Sequence, residues 1–205
     1  RMYGLLGLWA TAGMWALVVW LQSRENTASH PRRWPLIALA LINVAGLYTQ
    51  YAYPLTMIAQ GVVMLVWLIT HRDRRALGLY IAANLATLLI FAPWAGEAIR
   101  QVTTWPNSGG AADPAGILST LTLGLTTGGR VDWLPAFAAL ALAAMGLWAN
   151  RARILLLLPA IWAAVTVGAF LLLGLQPDDI KQLTPAASAI AIWLGIGAAA
   201  LWRDK

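Results

Sequence analysis

Seven stretches of this chain are apolar over about the length a helix needs to cross a bilayer, and short polar clips separate them. The hydrocarbon slab is about 30 Å thick and an α-helix rises about 1.5 Å per residue, so a crossing takes roughly 20 residues. The runs fall at about 3–22, 34–50, 54–70, 76–94, 133–149, 154–175 and 183–202. The second and third are short for a crossing, but Trp34, Tyr48, Tyr51, Tyr53 and Trp67 lie near their ends, where aromatic rings sit at head-group level. In lipid every backbone amide must bond within the protein, which leaves helices or a closed barrel, and these runs are too long for barrel strands. The expected fold is an all-α membrane protein, a single transmembrane domain over 1–205 that forms a bundle of about seven spanning helices.

Composition excludes a soluble domain. Hydrophobic residues make up 60% of the chain, charged residues only 11%, and the mean hydropathy is +0.68. A soluble domain carries about 25% charged residues.

The clips fix an expected orientation. Arg24, Arg32, Arg33, Arg72, Arg74, Arg75, Arg151, Arg153, Arg203 and Lys205 all follow odd-numbered runs, which places ten of the fourteen basic residues on one side. Arg1, Arg100, Arg130 and Lys181 fall on the other side with Glu97, Asp113, Asp132, Asp178 and Asp179. The positive-inside rule makes the first side cytoplasmic and the second outer, in a multi-pass protein of the cytoplasmic (inner) membrane. The net charge of +6 is then a topology signal, and no basic block interleaved with stacking aromatics suggests nucleic acid. With Arg1 outside and no signal peptide before it, an odd number of upstream helices is expected.

With no cysteine, disulfides, thiolate chemistry and cysteine-held metal are excluded for this segment. His30 and His71 both fall in cytoplasmic clips and read as solvated loop residues rather than metal ligands. A divalent metal cofactor stays open but draws no support from these residues.

The outer face is irregular. Its longest connection spans 95–132 and is expected to hold interfacial helices: an amphipathic one over 95–105, then a re-entrant or surface-lying run over 114–127. Gly128-Gly129-Arg130 reads either as a plain turn or as backbone amides and a guanidinium offered to an anion. The link Tyr48-Thr49-Gln50-Tyr51-Ala52-Tyr53-Pro54 is either an interfacial anchor or a lining of phenols and an amide for a sugar or phosphate head group. Asp178-Asp179 is a solvated helix cap, or an exposed acidic pair that could supply a general base or a metal site. Lys181, just before a late helix, can face an anion at the membrane surface.

Four short elements together resemble a family. Arg1-Met2-Tyr3 before an alanine- and leucine-rich helix, Gly46-Leu47-Tyr48-Thr49-Gln50-Tyr51, Phe91-Ala92-Pro93-Trp94, and Lys181-Gln182-Leu183-Thr184-Pro185-Ala186 are similar, in order and spacing, to elements of bacterial polyprenyl-phosphate-sugar-dependent glycosyltransferases. These are the GT-C enzymes of the protein-mannosyltransferase and aminoarabinose-transferase type. The resemblance implies an enzyme that moves a sugar from a polyprenyl-phosphate donor to a protein, lipid or glycan hydroxyl on the outer face. It places the catalytic carboxylate upstream of Arg1, and donor or phosphate recognition at Arg1, Tyr3, Gln50, Tyr51 and Lys181, with Arg130 behind them. Gln50 stands where the family often has histidine, so it can hydrogen-bond but not titrate. Lys181 stands where arginine is common, which keeps the charge and loses the bidentate fork.

Other classes remain open. A lipid-linked glycan polymerase or ligase would share these helices and outer loops, and a non-catalytic membrane subunit would need only the helices. An ion-coupled carrier would bury ionisable groups at mid-membrane, whereas the charged residues here fall at loops and interfaces; a passive transporter stays possible. Asn84 and Pro159 are the mid-run irregularities, and packing or a kink accounts for them.

Overall fold

The computed structural model of the chain describes residues 2–25, 33–104, 141–142, 144–145, 154–172 and 184–203. These residues are helical or in short turns, with no strand among them. The helices are α1 (Met2–Glu25), α2 (Trp34–Thr49), α3 (Tyr53–His71), α4 (Arg74–Thr103), α5 (Ile154–Leu172) and α6 (Thr184–Arg203). The chain divides into two compact units, Arg1–Asn107 and Ser108–Lys205.

In the first unit the ends of the helices follow from local chemistry. A proline in the first turn starts both α2 and α3, where the missing N–H costs nothing. Gln50 turns to extended backbone (φ −157°, ψ 133°) and stops α2, and the Tyr53 N–H donates to the Gln50 carbonyl at 3.0 Å. Arg72 stops α3 in the left-handed region (φ 53°), a place usually taken by glycine. Asp73 then caps α4 by accepting the Ala76 N–H at 3.0 Å.

The α2 stripe Leu36, Leu39, Asn43, Gly46 and Leu47 and the α3 stripe Tyr53, Thr56, Gln60, Val63, Met64 and Trp67 are buried, each at helical spacing. Cross-links show how the helices run. Trp15 of α1 meets Trp34 at the start of α2, with ring centroids 6.4 Å apart. Arg24 at the end of α1 holds Asp73 at 2.7 Å. Tyr48 bonds Ile90, and Thr87 bonds Ala40. Helices α1 and α3 therefore run one way and α2 and α4 the other. One end gathers Arg24, Arg33, Arg72, Arg74 and Arg75 and is called the basic end; the other carries Tyr48, Tyr51 and Tyr53 and is called the tyrosine end. Helix α4 is the most open of the four, with Leu85, Leu88, Leu89 and Ile90 all exposed.

In the second unit α5 packs on α6. Trp162 and Ala163 of α5 and Ala186 and Ala189 of α6 are buried, and the Thr166 hydroxyl donates to the Trp162 carbonyl at 2.9 Å. Residues 141, 142, 144 and 145 are helical, and the Leu142 carbonyl lies so close to Gly197 that any side chain there would collide with it.

The expectation of a helical membrane protein holds in its coarser form. Tyr3–Glu25, Tyr53–His71 and Arg74–Gln101 are long and apolar enough to cross a bilayer; Trp34–Thr49, Leu158–Gly168 and Pro185–Ala199 are shorter apolar helices. The described residues thus give three helices of crossing length, where the sequence led us to expect about seven.

Two local expectations change. Residues 95–103 do not form a separate interfacial helix, because α4 runs unbroken through Pro93. A mid-helix proline forfeits one backbone bond and crowds the carbonyl four residues back, which weakens a helix by about 3 kcal/mol without having to end it. His71 is no loop residue either. It closes α3, its ring stacked on Trp67 at 3.7 Å and its Nε2 3.3 Å from the Glu25 carboxylate. The remainder of the outer connection, 105–132, and most of the run 133–149 lie outside the described residues.

Candidate functional site

The tyrosine end is organised from one close approach. Gly46 has no side chain, and the Tyr53 ring lies over it so tightly that a Cβ would collide with the ring. That contact draws the start of α3 onto α2 and carries the Tyr53 hydroxyl inward. There it donates to Asn43 Oδ1 at 2.9 Å.

Asn43 and Gln60 face each other as a reciprocal amide pair. Asn43 Nδ2 donates to Gln60 Oε1 at 3.0 Å, and Gln60 Nε2 donates to Asn43 Oδ1 at 3.1 Å. Asn43 Nδ2 also reaches Asn84 Oδ1 of α4 at 3.5 Å. Asn43 and Gln60 are all but fully buried, and Gly13 of α1 closes the cluster from a third side, its Cβ position 2.8 Å from Gln60 Nε2. The network thus ties four helices together through neutral groups. The neighbouring Thr56 hydroxyl is buried with no partner among the described residues.

With Tyr53 committed to the core, the rest of the turn faces α4. The Tyr48 hydroxyl donates to the Ile90 carbonyl at 3.0 Å. Its ring stands edge-on to Phe91 (5.3 Å, 76°) and tilted to Trp94 (6.5 Å, 41°). Tyr48 therefore grips α4 on both sides of Pro93. The Tyr51 hydroxyl donates to Gln101 Oε1, about two turns beyond Trp94.

Between these two attachments lies a cavity of about 220 Å³, lined by Leu47, Gln50, Tyr51, Pro54, Phe91, Ala98 and Ile99. Its wall is mostly hydrocarbon. Gln50 and Tyr51 supply the polar edge, and the Gln50 side-chain amide makes no hydrogen bond to another described residue. Whole-ligand pockets run to about 300–1,000 Å³, so this one has the size for part of a ligand, such as a length of chain. Beside it Gln101 Nε2 donates to Glu97 Oε1 at 2.7 Å, and Arg100 clasps the same carboxylate at 2.7 and 3.0 Å. Glu97 is therefore occupied as an ion-pair partner on the rim.

Of the residues expected in the site, the structure brings Gln50 and Tyr51 together. Tyr3 sits half-buried in the first turn of α1, at the same end of the unit but not in the cavity wall. Arg1, Arg130 and Lys181 lie outside the described residues. The amides Asn43 and Gln60 went unnoticed in the sequence, although a lone amide inside an apolar run is a signal for an interhelical hydrogen bond.

At the basic end, Arg24 Nη2 and Nε both approach Asp73 Oδ2 at 2.7 Å, while the guanidinium lies 5.8 Å from the Trp20 ring centre. Burial pushes the Asp73 carboxyl up, but the Ala76 N–H and the Arg24 guanidinium outweigh it and hold the group below the ordinary aspartate range. Among the described residues no group of three or more His, Cys, Asp or Glu side chains could hold a metal ion. Comparison of the chain with family models, curated proteins and solved structures gives no match in any of the three.

Proposed function

We propose that this chain is part of a membrane glycosyltransferase that takes a sugar from a polyprenyl-phosphate donor and passes it to a protein, lipid or glycan hydroxyl. The proposed setting is the outer face of the inner membrane. The observation that carries the reading is the hydrocarbon-walled cavity with the Gln50 amide and the Tyr51 phenol at its edge, at the end of the unit opposite the basic end. A lipid-linked donor has that duality: an apolar tail joined to a phosphate and a sugar. The elements Gly46 to Tyr51 and Phe91 to Trp94, which resemble this family in sequence, are the two that meet around the cavity.

In this reading the tail lies against Leu47, Phe91 and Ile99, and Gln50 hydrogen-bonds the head group. The resemblance assigns the departing phosphate to Lys181, with Arg1 and Arg130, all three outside the described residues. The acceptor hydroxyl attacks the anomeric carbon, its proton passes to a carboxylate base, and the lipid phosphate leaves. Tyr3 would line the approach.

The test is sugar transfer by the protein in liposomes, with a radiolabelled polyprenyl-phosphate sugar as donor. Gln50→Ala and Lys181→Ala should each raise the donor KM by about tenfold, the scale of one lost hydrogen bond to a charged group, and leave the acceptor KM near wild type. Donor dependence unchanged in both variants would overturn the reading.

A passive transporter is the second reading, favoured by Asn43, Gln60 and Asn84 lying midway along their helices. Those amides bond one another, which fits a packing role better than a permeation path.

A further inference from the structure

The turn from α3 to α4 carries three arginines within four residues, Arg72, Arg74 and Arg75, and all three are exposed. The acids beside them are already engaged. Asp73 is held by Arg24 at 2.7 Å and by the Ala76 N–H, and Glu25 lies 3.3 Å from His71 Nε2. The three guanidinium groups make no hydrogen bond or ion pair with a described residue, so the turn presents positive charge without a counter-ion among them. The first amides of α4 are used as well: the Arg74 N–H donates to the Arg72 carbonyl and the Leu77 N–H to the Asp73 carbonyl. An anion arriving here therefore meets side chains, not a helix terminus.

Two further observations say what that anion is. Arg72 sits in the left-handed region (φ 53°), where a side chain is strained and glycine is the usual residue, so the fold alone would favour glycine at this position. The helices that the turn joins, Tyr53–His71 and Arg74–Gln101, are both long and apolar enough to cross a bilayer, which sets the arginines at head-group level. From Arg75 an exposed apolar run continues along α4 at helical spacing through Leu79, Ala82, Ala86 and Leu89. We propose that Arg72, Arg74 and Arg75 clasp the phosphate of an anionic phospholipid whose acyl chains lie along that run. A zwitterionic lipid brings its own ammonium group to a place already rich in cations and fits it less well. The site is at the opposite end from the cavity and does not depend on the sugar transfer proposed above.

A ligand that binds the folded chain raises its Tm, so thermal unfolding of the full protein in a neutral detergent reads the affinity. The probes are phosphatidylglycerol, phosphatidylcholine and inorganic phosphate. Phosphatidylglycerol should stabilise at lower concentration than phosphatidylcholine, and inorganic phosphate should do little. Arg72→Gly and Arg75→Gln should each raise the phosphatidylglycerol concentration needed for half the effect by about fivefold, the worth of one basic residue at a membrane surface, and leave the phosphatidylcholine titration unchanged. Arg33→Gln removes the same charge from the same end but not from the turn, and should have a smaller effect. Without lipid, Arg72→Gly should unfold at or above the wild-type Tm, because glycine relieves the left-handed backbone.

Equal stabilisation by the two lipids would overturn the proposal, as would turn variants that keep the wild-type response. An Arg33→Gln effect as large as theirs would mean a diffuse field in place of a clasp. Stabilisation by inorganic phosphate matching that of phosphatidylglycerol would remove the lipid. A lipid-free Tm lowered by Arg72→Gly would make Arg72 a structural residue and overturn its part in the site, leaving Arg75→Gln to test the rest.

Discussion

The three tyrosines of the α2–α3 turn are alike in the sequence and different in the fold. Tyr48 grips α4, Tyr51 reaches its outer arm, and Tyr53 is buried over Gly46 with its hydroxyl in the amide network. The sequence singled out this turn, but which ring turns inward depends on a glycine seven residues earlier and a partner helix away. Gly46→Ala is the sharpest test. Its methyl would have to displace the Tyr53 ring, and such overpacking costs about 1–3 kcal/mol. Thermal unfolding in detergent should show a clear drop in Tm, whereas Gly4→Ala, with open space around its Cβ position, should be neutral or better. A wild-type Tm for Gly46→Ala would count against the close packing. The amide pair predicts coupling as well. Asn43→Leu or Gln60→Leu alone strands the other amide, at about 1–3 kcal/mol each, while the double variant should cost less than the sum. The difference expected in a membrane is about 0.5–2 kcal/mol, and strict additivity would argue that the pair is idle.

At the level of elements, helix cores were easier to read than helix ends. The apolar runs located α1, α2 and α3 to within a few residues, because a membrane-length run leaves little choice. The fourth was cut short at Trp94, since a proline followed by a more polar segment looks like a stop. Continuation beyond it rests on tertiary contacts from Tyr48 and Tyr51, which one-dimensional periodicity does not contain. The α3–α4 turn illustrates the same limit: Arg72 reads as a topology charge and Asp73 passed without notice, yet Asp73 caps α4 and binds Arg24. Its depressed pKa makes a signed prediction. A carboxyl more acidic in the folded than in the unfolded state adds stability that is complete above about pH 4 and fades as the pH falls through the folded value. Unfolding of the wild type should therefore grow easier with acid in that window, and Asp73→Asn should be less stable at neutral pH with a flatter acid limb. An acid limb identical in both proteins would exclude Asp73 as its source.

The whole first unit has a polarity that neither the residues nor the helices show singly. Four alternating helices put Arg24, Arg33, Arg72, Arg74 and Arg75 at one end, and the cavity with Gln50 and Tyr51 at the other. Charge counting along the sequence anticipated this alternation, because lipid insertion reads basic residues in the clips much as an observer does. The cavity itself was not legible, since its walls come from residues about 40 positions apart that meet only when α2 and α4 pack in parallel. The proposed chemistry depends on which end faces out. In a chain without native cysteine, Gln50→Cys and Arg74→Cys each provide one reactive thiol at opposite ends. With a charged maleimide added to sealed right-side-out vesicles, position 50 should label at once and position 74 only after permeabilisation; inverted vesicles should give the reverse. Labelling of both positions from one side would contradict the alternating helices. A consistent reversal, with position 50 reached only from the cytoplasmic side, would preserve the fold and remove the donor site from the outer leaflet, where the proposed transfer has to occur.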